Sequence, residues 1–75
     1  MDRLASMTVF LAVVEAGSFS AASRKLAMPL ATVSRNVSEL ETHLKARLLN
    51  RSTRKLTLTD AGREYLAACK RILED

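Results

Sequence analysis

Five cations, Lys45, Arg47, Arg51, Arg54 and Lys55, fall within eleven consecutive residues that contain no acid. A segment of this kind can neutralise a row of phosphates; the plainer reading is a solvated charged loop. Just upstream, Ala31, Ser34, Arg35, Ser38 and Thr42 recur at spacings that place them on one side of a helix. All are small or polar except one arginine. Small side chains let a helix about 10–12 Å wide enter the major groove of duplex DNA closely. Arg35 can then offer paired donors to a guanine edge or to a phosphate. Catalytic groupings are harder to assemble. His43 is the single histidine and the acids are scattered, so neither a nucleophile with its base nor a carboxylate pair is expected, and the chain does not read as an enzyme. Cys69 is the single cysteine, which excludes an intrachain disulfide and suits a reducing compartment. One Cys and one His do not make a four-ligand metal site, and no cofactor is expected.

The bulk numbers agree with a nucleic-acid partner without requiring one. Twelve Lys and Arg against eight Asp and Glu leave a net charge of +4 over 75 residues. That length holds one small domain with a modest core. Hydrophobic residues make up 48% of the chain but are interrupted by charges. No apolar run approaches the roughly 20 residues of a spanning helix, and the N-terminus does not read as a signal peptide, so no membrane partner is expected.

Gly17, Pro29 and Gly62 are the only Gly or Pro residues, so a mainly α fold with few breaks is expected. The first helix opens after Asp2 as N-cap and carries Leu4, Met7, Leu11 and Val14 at helical spacing, broadened by Phe10 and Val13. Gly17 ends it as a left-handed cap. Ser18 caps a short helix from about Phe19 to Leu26, in which Ala21 and Ala22 permit a close crossing. Ala27 and Met28 form a turn. Pro29 then occupies the first position of a third helix, about 29–44. There Val33, Val37, Leu40 and Leu44 cluster within roughly 60° on the helix wheel. Leu48–Arg51 and Leu56–Leu58 read as two short strands of a hairpin joined by Ser52–Lys55. Thr59 followed by Asp60 starts a last helix with Tyr65, Leu66, Cys69, Ile72 and Leu73 on one stripe.

Short helix, tight turn, longer helix with a small polar outer face, then a basic hairpin: this order is the winged helix-turn-helix plan. It comprises a three-helix core, a small β-hairpin wing and a C-terminal linker helix. The chain also resembles the N-terminal DNA-binding domain of the LysR-type transcriptional regulators, which are bacterial. The resemblance rests on "FLAVVEAGSFSAASRKL", "ATVSRNVSELE" and "RLLNRSTRKLTLTDAG", and within them on Gly17-Ser18-Phe19, Ala21-Ala22, Val33-Ser34-Arg35, Leu40-Glu41, Leu58-Thr59 and Ala61-Gly62.

The resemblance implies a DNA-binding domain over 1–59, with the helix-turn-helix at about 19–38 and the wing at about 48–58. Residues 60–75 would begin a linker helix that pairs two protomers into a homodimer, with a higher oligomer in the full-length protein. A C-terminal effector-binding domain would lie outside this chain, and any small-molecule effector would act only through it. The partner would be double-stranded DNA bearing an interrupted inverted repeat, met in the cytoplasm and nucleoid. Residues expected to touch DNA are Leu30, Ala31, Thr32, Ser34, Arg35 and Ser38 of the recognition helix and Arg51, Thr53 and Arg54 of the wing. A protein-binding winged helix, the alternative class, would lack the basic wing and the small outer face.

Three positions depart from the family pattern. Pro29-Leu30-Ala31 replaces the usual Ser-Gln opening of the recognition helix, so a side chain that cannot hydrogen-bond stands where the family commonly has glutamine. Lying about 50° from the apolar centre of the wheel, Leu30 is expected to close the core, with contact to a thymine methyl as the alternative. Lys45 stands where a glycine usually ends the helix, and Leu49 replaces a common phenylalanine.

Overall fold

The computed structural model describes residues 2–51 and 56–74. They form α1 (Arg3–Ala16), α2 (Phe19–Leu26), α3 (Leu30–Leu44), β1 (Leu49–Asn50), β2 (Thr57–Leu58) and α4 (Asp60–Glu74). The two strands pair antiparallel, with Leu49 opposite Leu58 and Asn50 opposite Thr57. This is the winged helix-turn-helix order read from the sequence; of the six residues joining the strands, Ser52–Lys55 lie outside the described residues.

Each break has a local cause. The Asp2 carboxylate accepts the Ala5 N–H at the start of α1, and Gly17, at φ 87°, ends it by donating its N–H to the Val13 carbonyl. The Ser18 hydroxyl accepts from the Ala21 N–H, so α2 begins one residue after α1 is capped, and the two axes meet at 120°. Pro29 holds ψ at 142° and therefore precedes α3 as its N-cap instead of occupying its first turn, as the sequence suggested. Its fixed φ suits either position, but its extended ψ turns the chain before the helix begins. Thr59 caps α4 by accepting the Gly62 N–H at 2.9 Å.

The core lies where α1, α2 and α3 meet under β1 and α4. Phe10 and Val13 of α1, Ala22 of α2, Val33, Val37 and Leu40 of α3, Leu48 and Leu49 beside the hairpin, and Cys69 of α4 are all buried. The Phe10 and Tyr65 rings meet at 5.7 Å with a 57° tilt, fastening α4 to α1. The stripe expected on α1 needs correction. Because α2, α3 and α4 all pack on this helix, its buried arc is broad, roughly 220° at 100° per residue. That arc runs from Ala12 through Val9, Val13, Ser6 and Phe10 to Met7. Leu4 and Leu11 fall beyond its edge; Leu4 is exposed and Leu11 partly so. Ser6, unremarkable in sequence, is fully buried and donates to the Asn36 side-chain oxygen. On α4, Cys69 is buried, Tyr65, Leu66 and Leu73 pack partly against the core, and Ile72 faces outward.

Gly62 shows how tightly α4 approaches the hairpin. A Cβ there would sit 2.1 Å from the Leu48 carbonyl oxygen, a backbone atom already held by the Thr59 N–H at 3.0 Å. Neither side can give cheaply. Gly62→Ala is expected to lower stability by about 1–3 kcal/mol, measured by urea unfolding, by forcing α4 off the strand.

Burial also sets the thiol's behaviour. Desolvation raises the Cys69 pKa, and it raises that of Tyr65, with a smaller push in the same direction from Cys69 and an opposing pull from Arg3. A raised folded-state value means that the native protein holds these protons more tightly than the unfolded chain. The resulting stability is complete below the ordinary thiol value and is lost as pH rises through the raised one. Unfolding midpoints should therefore fall above roughly pH 8.5, and Cys69→Ala, though less stable throughout, should show a shallower fall.

Candidate nucleic-acid interface

The third helix presents two unlike faces. Val33, Val37 and Leu40 are fully buried, while Ala31, Arg35 and Ser38 are exposed and Ser34 is half-buried on the opposite side. On the wheel Ser34, Ser38, Ala31, Thr42 and Arg35 span roughly 100°, a continuous strip centred away from the core. Arg35 is the single cation of that strip, and it enters no ion pair among the described residues. Thr32 does not share this strip. It lies on the flank facing α1, where its carbonyl accepts from Asn36 Nδ2 at 2.9 Å; on the same flank, Arg3 approaches His43 Nε2 at 2.8 Å.

Leu30 is not a core residue. It opens α3 with 49% of its surface exposed, whereas Val33 and Val37 are fully buried. Its angular offset from the apolar centre suggested burial, but at the edge of the apolar face on the leading turn the side chain is only half covered. Instead it lines an open notch with Phe19, Ser34, Arg51 and Leu56.

The hairpin is tied to this helix through one carboxylate. Glu41 Oε2 accepts the Leu48 N–H at 2.8 Å and the Leu49 N–H at 3.2 Å, while Oε1 accepts from Arg51 Nη2 at 3.1 Å. The Arg51 guanidinium carbon also stands 4.9 Å from the centre of the Phe19 ring. Arg51, expected on the wing, is thus brought beside the exposed strip of α3 by an acid on α3 and an aromatic on α2. Thr53 and Arg54, the other wing residues expected to touch DNA, and Lys55 lie outside the described residues. Lys45 and Arg47 line a second shallow depression with Ser38, Thr42 and the Glu41–Arg51 pair, which places two further cations beside the C-terminal half of α3.

Two contributors escaped the sequence reading as parts of the site. Glu41 and Phe19 stand out in the sequence only as parts of Leu40-Glu41 and Gly17-Ser18-Phe19; nothing in their spacing shows that they converge on Arg51. Lys45, where the resemblance leads one to expect a glycine, adopts the left-handed conformation at φ 55°. Its N–H donates to the Thr42 carbonyl and the next N–H, from Ala46, to that of Glu41, so the helix ends at Leu44 despite the larger side chain.

This architecture can be compared with known proteins. The model of the "bacterial regulatory helix-turn-helix protein, lysR family" matches residues 4–63. The chain belongs to the LysR family. It is a helix-turn-helix DNA-binding domain of that type. It is similar to the HTH-type transcriptional activator AaeR of Escherichia coli K12, with 52% identity over all 75 residues, which correspond to 24% of that relative. The full-length LysR-type virulence activator AphB of Vibrio cholerae matches 95% of the chain with a TM-score of 0.88 and 45% identity, over 24% of its own length. The BenM DNA-binding domain, solved in complex with catB site 1 DNA, matches 99% of the chain with a TM-score of 0.93 and 32% identity, over 82% of its own length. The chain therefore spans about a quarter of the full-length LysR regulators it matches.

The Glu41 carboxylate gives a direct test of how the hairpin is held. Glu41→Ala is expected to cost about 1–3 kcal/mol in urea unfolding, because two N–H groups of the buried Leu48 and Leu49 lose their acceptor.

Proposed function

We propose that this LysR-type domain docks α3 in the major groove of double-stranded DNA, with the hairpin wing on the flanking backbone or minor groove. The observation that carries the reading is the exposed strip of Ala31, Ser34, Arg35 and Ser38 on α3, which combines close approach with one strong multidentate donor. The N-terminal N–H groups of α3, with no side-chain cap from Pro29, suit a phosphate. Lys45 and Arg47, with Arg51 beside them, add positive charge next to the C-terminal half of α3. The DNA complex of the BenM domain supports the same mode of use for a chain of this shape.

The longer regulator would act as a homodimer paired through α4, on an interrupted inverted repeat, in the bacterial cytoplasm. The outward Ile72 on α4 is available to such a seam. A further domain would receive any effector.

Binding to promoter DNA should weaken steeply with salt, because cations that neutralise phosphates release counterions. Arg35→Ala should cost about 1–3 kcal/mol in a mobility-shift titration and change the preferred base at one position of each half-site. Affinity that is flat in salt would overturn the placement of the basic surface. Equal weakening on all sequences would move Arg35 from a base edge to a phosphate.

A further inference from the structure

We propose that Leu30 reads the C5-methyl group of a thymine, with the notch behind it as the methyl's seat; this rests on α3 occupying the major groove. Leu30 is one of three large hydrophobics exposed among the described residues, and the other two, Leu4 and Ile72, belong to α1 and α4. Leu30 alone stands on the helix assigned to the groove, at its leading turn, about 40° around the wheel from Ser34. Its side chain has neither donor nor acceptor. Among the major-groove edges of the four bases, only thymine offers an apolar group of matching chemistry.

The notch makes this contact selective. Phe19 and Leu56 contribute apolar lining, and Arg51 is held there by Glu41 and the Phe19 ring. Because Arg51 is already engaged, the notch exists before DNA arrives. A methyl group placed over Leu30 adds apolar contact there. A cytosine amino group or a purine edge placed there would bring a polar atom against Leu30, which leaves it without a partner.

The test uses the operator recovered by selection from a random DNA pool, with each thymine replaced in turn by deoxyuridine, which removes only the methyl. Wild-type protein is expected to lose about fourfold in affinity at one thymine of each half-site, equivalent to the ~0.8 kcal/mol of one buried methyl. Leu30→Ala should bind that operator less tightly and be indifferent to the same replacement. Cytosine at that position should weaken wild-type binding, and 5-methylcytosine should recover part of the loss. If wild type tolerates every deoxyuridine, or if Leu30→Ala shows the same fourfold loss, the assignment of Leu30 is overturned while salt-sensitive binding keeps the DNA reading intact. If wild type selects no DNA at all, both readings fall.

Discussion

A single carboxylate determines how the hairpin stands against the third helix. Two strands of two residues cannot hold themselves in water, and the ladder between β1 and β2 is too short to orient anything. Glu41 gives the hairpin its anchor by accepting two backbone N–H groups at the entrance to β1, and its second oxygen holds Arg51 at the exit. The anchor works because its side chain is 13% exposed, so water competes poorly for the same donors. The positive surface beside α3 is thereby a property of the fold as much as of the basic residues that compose it.

The elements of the fold were legible because each boundary carries its own chemistry. Asp2, Ser18 and Thr59 announce helix starts, Gly17 announces an end, and the spacing of Val33, Val37 and Leu40 fixes which side of α3 is inside. The exposed strip of α3 follows at once, since whatever lies opposite a strict apolar stripe must face outward. Contacts between elements were less legible. The buried face of α1 was misjudged because apolar periodicity locates a stripe one helix wide, whereas three helices cover this one. Leu30 differs because it stands at the edge of the apolar arc on the leading turn, where an angle on a wheel does not decide how much of the side chain is covered.

Convergence on Arg51 belongs to the same category. Phe19, Glu41 and Arg51 are separated by 22 and 10 residues in sequence, and no periodicity connects them. Their meeting depends on the turn from Ala27 to Pro29 between α2 and α3 and on the turn that brings the chain back from Leu44 to Leu48. Two of the local turns that create this geometry put ordinary L-residues, Ala27 and Lys45, at positive φ. Packing around these turns therefore outweighs a backbone preference of about 1–2 kcal/mol at each position.

The close approach at Gly62 also has a mechanical side. With no side chain between helix backbone and strand carbonyl, the first turn of α4 and the base of the hairpin share one rigid joint. From that joint α4 continues for 12 residues, roughly 18 Å. Tyr65 and Cys69 fasten the following turns of α4 to the same core, so the wing base, α4 and the three-helix core form one stiff body without a hinge between them. A force applied at the end of α4 is therefore carried to the wing as a tilt of the whole body.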